Sequence, residues 1–211
     1  MRTIGLIPAR LNSVRLERKA LKIIEGYPMF YHVYKRSKMS NLSNVYLCTD
    51  SKEIQSVAES LDVPTILTKP SHKNGTERCG EASRILNIKK YDTVVNIHGD
   101  EPLVQPSEIN KLLKFFKSSN YDIVFPHRLI TKPKKNNKNA VKIVTNQKNK
   151  VIYMSRNLIP SDYKQLKKIK KQCGLTIYSS DALNFYNTHH QSSNEKIESI
   201  ELLRAIDNDF N

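Results

Sequence analysis

The residues best suited to chemistry gather in three short constellations. The first is Ile7-Pro8-Ala9-Arg10-Leu11-Asn12-Ser13-Val14-Arg15-Leu16-Glu17-Arg18-Lys19, which sets the cations Arg10, Arg15, Arg18 and Lys19 close together after an apolar run. A loop of that kind offers backbone N–H groups and positive charge to a polyphosphate. An ordinary basic surface loop has the same spacing. The segment is neither the glycine-rich dinucleotide fingerprint nor a Gly-Lys-Ser/Thr phosphate loop. The second is His72-Lys73-Asn74-Gly75-Thr76-Glu77-Arg78. Here Gly75 suits a tight turn and Thr76 suits the cap of a following helix, leaving Asn74, Thr76 and Arg78 to face a ligand. A plain loop-to-helix junction reads the same way. The third is Val95-Asn96-Ile97-His98-Gly99-Asp100-Glu101-Pro102, a strong apolar strand that ends in a glycine and two acids. Asp100 can place an oxygen on Mg²⁺ where nucleotide phosphates must be held. Gly99 allows close backbone approach of a ligand, and Pro102 stiffens the exit. Two basic loops and one acidic strand end together make a cradle for a metal and a polyanion.

These loops need a scaffold, and the apolar pattern supplies one. Runs of strand length at residues 4–7, 45–49, 64–68, 93–97 and 122–125 alternate with helical patterns at 28–39, 52–61, 76–88 and 106–117. Pro28 falls in a first turn, and Asp50-Ser51 precedes the helix at 52 as a cap. The alternation predicts an α/β fold, a mostly parallel sheet with helices on both faces. Ligands bind such sheets beyond the carboxyl ends of the strands, where all three constellations lie. After residue 126 the rhythm changes. Residues 140–146 and 150–155 read as two strands joined by Asn146-Gln147-Lys148-Asn149, residues 173–178 as another strand, and two helical stretches follow. We therefore expect one domain over 1–211, with about 127–185 carrying a small β-hairpin lobe suited to dimer contacts.

Composition narrows the function classes. With 38% hydrophobic and 26% charged residues the chain has enough apolar side chains for a folded core. No apolar run approaches the roughly 20 residues that span a bilayer. Met1–Pro8 passes directly into a strand-like run without a leader pattern, and Cys48, Cys79 and Cys173 are too few and too scattered for a disulfide framework or zinc site. A cytoplasmic setting is expected. The net charge of +15 raises nucleic acid as a partner. The clusters Lys132–Lys138 and Lys164–Lys171 have no interleaved aromatics, however, and read as solvated loops that attract polyanions only in general.

The three constellations, in this order, resemble those of the 3-deoxy-manno-octulosonate cytidylyltransferases, the CMP-Kdo synthetases of lipopolysaccharide assembly. The likeness continues through Asn139-Ala140-Val141-Lys142-Ile143-Val144, Tyr153-Met154-Ser155-Arg156, Ile159-Pro160, Glu195-Lys196-Ile197-Glu198 and Glu201-Leu202-Leu203-Arg204. It implies a Rossmann-like fold of the nucleotide-diphosphosugar-transferase type and a homodimer. It also implies Mg²⁺-dependent transfer of CMP from CTP to an acidic sugar, for cell-surface polysaccharide synthesis. By resemblance, Pro8, Ala9, Arg10, Ser13 and Lys19 hold CTP, and Asn74, Gly75, Thr76 and Arg78 lie by the nucleotide. His98 lies near the cytosine edge, Gly99 also lies by the nucleotide, and Asp100 binds Mg²⁺. Arg10, Lys19 and Asp100 carry catalysis; Arg156, Tyr178, Glu195 and Glu198 line the sugar side.

Four departures accompany the likeness. Glu17-Arg18 stand where the family has Pro-Gly before Lys19, and His98 stands where it has Gln. Gln172-Cys173-Gly174-Leu175-Thr176-Ile177-Tyr178-Ser179 replaces His-Leu-Gly-Ile-Tyr-Gly-Tyr-Arg. The family's Val-Asp-Thr-Pro-Glu-Asp-Leu segment, whose first Asp helps bind metal, has no match up to Asn211. The expectation for 1–211 is thus Mg·CTP binding with slow or no turnover. The alternatives are a related ulosonate as substrate, a nucleotide-binding relative without turnover and, on charge alone, a nucleic-acid module.

Overall fold

Thr3–Ala9 (β1) is apolar on both faces and buried along nearly its whole length, as a strand flanked by helices requires. In the computed structural model, which describes residues 2–11, 16–131, 137–161 and 168–211, this strand sits centrally in a six-stranded sheet. The chain divides into two compact units, Met1–Val124 with Gly174–His189 and Phe125–Cys173 with His190–Asn211. Residues 174–185, placed in the hairpin lobe by the sequence reading, pack in the first unit.

In the first unit a two-stranded ribbon, Ile23–Ile24 (β2) with Tyr27–Pro28 (β3), turns at Gly26, whose φ is 80°. Met29–Lys38 (α1), Asn44–Thr49 (β4), Lys52–Glu59 (α2), Thr65–Leu67 (β5), Gly75–Ile85 (α3), Thr93–Ile97 (β6), Pro106–Lys117 (α4) and Ile123–Val124 (β7) follow. The strands β4, β5 and β6 run parallel with β1. Leu175–Ser179 (β12) adds antiparallel to β6 and to β7, giving the order β5-β4-β1-β6-β12-β7. The sheet is mixed but mostly parallel, as expected for the α/β class. On one face Ile7, Leu47, Val95, Ile97 and Ile177 meet Phe30 and Val33 of α1, Ile54 of α2 and Ile109 and Leu113 of α4. The other face packs on α3 and on Ser180–Thr188 (α5).

The second unit has a four-stranded antiparallel sheet in the order β10-β9-β11-β8. Its strands are His127–Thr131 (β8), Lys142–Thr145 (β9), Val151–Ser155 (β10) and Lys168–Gln172 (β11), with helices Ser193–Glu198 (α6) and Leu202–Ile206 (α7). The hairpin β9–β10 turns where Asn146 Oδ1 accepts from the amides of Lys148 and Lys150 at 2.9 and 3.0 Å. The lysine cluster is only partly a loop: Lys168-Ile169-Lys170 alternates about the buried Ile169, and β11 pairs with both β8 and β9. Lys164 and Lys167, like Lys132, Lys134 and Lys135, lie outside the described residues. Among the described residues no helix is long and apolar enough to cross a membrane.

Candidate active site

The three constellations meet at one residue of the first unit, Pro8. A Cβ on Gly75 would sit 3.1 Å from Pro8 Cγ, and one on Gly99 only 2.7 Å from the Pro8 carbonyl oxygen. Gly99 is therefore needed, and Gly75 closely fitted, where three loops touch one another. This corrects two expectations. Gly75 has no left-handed φ and makes no tight turn, since Gly26 is the glycine with positive φ. Gly99 admits the chain's own backbone at Pro8 rather than reserving that space for a ligand.

From β1 the chain delivers half-buried Pro8, buried Ala9 and exposed Arg10. Ser13 and Arg15 lie outside the described residues. Lys19 opens a 3₁₀ turn over Lys19–Leu21, after Arg18 at φ 53°. Its Nζ donates to Asp100 Oδ2, so an ion pair joins the first loop to the third. Arg18 is already paired with Glu53.

The second loop enters α3. Asn74, not Thr76, is the cap: its Oδ1 accepts from the Glu77 amide at 2.9 Å, and Glu77 Oε2 accepts from the Lys73 amide at 2.8 Å. Thr76 lies within the first turn and is fully buried, with Oγ1 3.1 Å from the Tyr178 hydroxyl. Arg78 is buried as well, donating to Thr68 Oγ1 at 2.5 Å and Asp50 Oδ2 at 2.9 Å. Of the side chains expected to face a ligand, Thr76 and Arg78 thus point into the protein and Asn74 is engaged as the cap. What α3 presents is its amino end, the positive pole of the helix dipole. The approach to this turn is held by Glu81, which accepts from the Lys69 amide at 2.7 Å and lies 2.6 Å from His72 Nε2. Burial pushes the Glu81 carboxyl up, but the Lys69 amide and His72 outweigh it and leave it below the usual range.

The third loop leaves β6 through a turn in which the Glu101 amide donates to the His98 carbonyl at 3.1 Å. The His98 amide donates to the Gly174 carbonyl at 2.9 Å, and a Cβ on Gly174 would lie 2.5 Å from Glu101 Cγ. Glu101 therefore packs against the start of β12. The Asp100 side chain stays 40% exposed. Partial burial pushes its carboxyl up, and the Lys19 hydrogen bond and charge, with His98, bring it below the ordinary value. It is an anion at neutral pH. Among the described residues no group of three or more His, Cys, Asp or Glu gathers to hold a metal alone. One exposed carboxylate suits Mg²⁺, which takes its remaining ligands from water and phosphate oxygens. Cys48 supplies no nucleophile, because burial raises its thiol to about 12.

The residues expected on the sugar side divide between the units. Tyr178 belongs to the first and is fully buried under Thr76. In the second, Glu195 and Arg204 form a buried bidentate ion pair at 2.6 and 2.8 Å. Glu198 accepts from Ser155 Oγ at 2.6 Å and the Arg156 amide at 2.9 Å. The Arg156 guanidinium donates to the carbonyls of Glu198, Lys138 and Ser199 at 2.8–3.1 Å. Among the described residues three of its five N–H donors are used, all on neutral oxygens.

Sequence reasoning gave no role to Asp50, beyond capping, or to Thr68. Ser51 is the cap of α2, its Oγ accepting from the Ile54 amide, while Asp50 neutralises Arg78. The available signal was an acid at the carboxyl end of a strand, the same signal that marks Asp100.

Comparisons with known proteins identify the family. The family profile described as cytidylyltransferase matches residues 4–209. A 3-deoxy-manno-octulosonate cytidylyltransferase of Fusobacterium nucleatum is 38% identical, covering 100% of this chain and 86% of that protein. One from Nitratiruptor sp. is 33% identical over 95% of this chain and 85% of its own length. A CMP:2-keto-3-deoxy-manno-octonic acid synthetase solved in complex with CTP superposes with a TM-score of 0.91 at 28% identity, covering 100% of this chain and 88% of that one. The chain belongs to the cytidylyltransferase family, with the 3-deoxy-manno-octulosonate cytidylyltransferases as its relatives.

Proposed function

We propose that the protein transfers CMP from CTP to 3-deoxy-manno-octulosonate, releasing pyrophosphate. The observation that carries the reading is the meeting of three loops at Pro8, with Lys19 and Asp100 joined across the carboxyl ends of β1 and β6. The sugar's anomeric hydroxyl attacks the α-phosphorus, a bond to CMP forms, and pyrophosphate leaves. Catalysis of this kind is mostly positioning and charge neutralisation. Arg10 and Lys19 supply cations for the phosphates, and the amino end of α3 adds a favourable dipole. Asp100 would hold Mg²⁺, which when bound neutralises phosphate charge. Among the described residues two N–H donors of the Arg156 guanidinium meet no acceptor and none meets a carboxylate, which suits the sugar's carboxylate. The β9–β10 hairpin, with Ile152 exposed on an edge strand, is the proposed dimer contact, and the setting is cytoplasmic.

Calorimetric titration with CTP, UTP, ATP and GTP in Mg²⁺, followed by pyrophosphate release with CTP and the sugar acid, tests the reading. Preferential CTP binding with release is expected. Equal binding of all four nucleotides, or none, overturns it. Running a related ulosonate beside 3-deoxy-manno-octulosonate identifies the sugar. Light scattering that finds a persistent monomer rejects the dimer.

A further inference from the structure

Beneath the first turn of α3 lie three buried polar side chains from three elements. Thr76 and Tyr178 are fully buried, and Asn96 is 1% exposed. Asn96 Nδ2 donates to Thr76 Oγ1 at 3.3 Å, and the Tyr178 hydroxyl lies 3.1 Å from the same oxygen. Asn96 pairs with Thr176, two residues before Tyr178, so both side chains leave neighbouring strands on the face that packs against α3. The Tyr178 ring is fixed in turn by an edge-to-face contact with Tyr186 at 5.9 Å and 84°. Among the described residues Asn96 Oδ1 is a buried oxygen with no hydrogen-bond partner.

That oxygen is the informative feature. A buried acceptor without a donor destabilises a fold, and an isosteric leucine would avoid the cost. Apolar packing alone lets a helix slide or rotate on a sheet, whereas directed hydrogen bonds fix both. Resting on the cytidylyltransferase reading, we propose that Thr76, Tyr178 and Asn96 form a clamp that sets the amino end of α3 for the nucleotide. Tyr178 and Asn96 are positioning residues for CTP use, and Tyr178 does not meet the sugar. Asn74, which caps α3, and Gly75, which packs on Pro8, are Thr76's neighbours in the chain, so slack at Thr76 passes directly into the nucleotide loops.

Tyr178→Phe and Asn96→Leu test this in the full chain. Steady-state kinetics should show the KM for CTP rising about threefold to tenfold in each, the loss of one hydrogen bond, with the KM for the sugar acid unchanged. Asn96→Leu should keep or raise the denaturation midpoint while weakening CTP use, a combination that a merely structural residue does not give. Amide hydrogen exchange of residues 75–79 without nucleotide reads the clamp separately and should quicken in both variants. A raised KM for the sugar with CTP use unchanged in Tyr178→Phe would assign Tyr178 to the sugar and overturn the proposal. Unchanged exchange at 75–79 would overturn it too. Quickened exchange in a protein whose wild type binds no CTP would sustain the clamp and reject the cytidylyltransferase reading instead.

Discussion

Asp92 and Asp100 bracket the same strand, β6, and serve opposite purposes. At the amino end, Asp92 is 6% exposed and accepts from the Arg2 amide at 2.8 Å, Arg2 Nε at 2.9 Å, Arg2 Nη2 at 2.6 Å and the Lys89 amide at 3.0 Å. Its oxygens are used up in tying the starts of β1 and β6 together. At the carboxyl end, Asp100 meets Lys19 and keeps much of its surface in solvent. Identical chemistry becomes framework or reagent according to how many donors the fold spends on it. The second unit repeats the lesson: Glu195, in a family-like motif, is spent on Arg204.

If that division holds, Glu195→Ala should give the largest effect of all, on stability. It removes the carboxylate that holds two N–H groups of Arg204, which is 1% exposed, and truncating one side of such a buried pair costs about 3–5 kcal/mol. Urea denaturation measures it. A stable variant with only a raised KM for the sugar would move Glu195 from framework to substrate contact.

Asp100→Asn should do the reverse, lowering kcat by roughly a hundredfold or more by removing the carboxylate that would hold Mg²⁺ against the transferring phosphate, with little change in the denaturation midpoint. The Mg²⁺ dependence of CTP binding should disappear with it. A variant that keeps both would remove Asp100 from the site.

Two glycines sharpen the same contrast at a smaller scale. Gly99→Ala places a Cβ 2.7 Å from a backbone oxygen that has no easy escape, and should weaken CTP use by about tenfold through displacement of the Pro8 loop. Gly80→Ala meets the side-chain oxygen of Asn187 at 2.6 Å, which can rotate away, so CTP kinetics should stay near wild type. Similar losses from both would mean that the Pro8 junction is no more demanding than ordinary helix packing.

The scaffold was legible wherever signals were local. The β-branched run Thr93–Ile97 and the helix opened by Pro106 fall where periodicity puts them. What escaped depended on distant partners. β11 hides in a lysine-rich stretch, because lysine stems tolerate a strand and the pairing strand β8 lies some forty residues earlier. β12 is antiparallel in a sheet whose pattern predicts parallel neighbours, a choice made by chain topology. At the site, the three loops were found, but the capping and packing roles of the second loop's side chains were not. Asn74 outcompetes Thr76 for the cap because its oxygen reaches the Glu77 amide, and Arg78 turns inward to an aspartate twenty-eight positions away.

The smallest expected effect returns to Asp92. The Arg2 guanidinium holds its carboxyl well below the usual carboxylate range, against the opposing push of burial, and the amides of Arg2 and Lys89 add to the pull. A carboxyl whose pKa is lower folded than unfolded contributes stability above the unfolded value, near pH 4, and loses it as pH falls toward the folded value. Asp92→Asn keeps the shape, removes the charge and should cost about 1–2 kcal/mol at pH 7. The gap between wild type and variant should narrow steadily below about pH 4, because protonation makes the wild-type carboxyl resemble the amide. Denaturation midpoints from pH 7 down to pH 2 measure that convergence, and CTP kinetics at pH 7 should not change. A constant gap would show that shape rather than charge holds the starts of β1 and β6. Altered CTP kinetics would show that the amino end of β6 is not insulated from the carboxyl end, and the contrast between the two aspartates would fail.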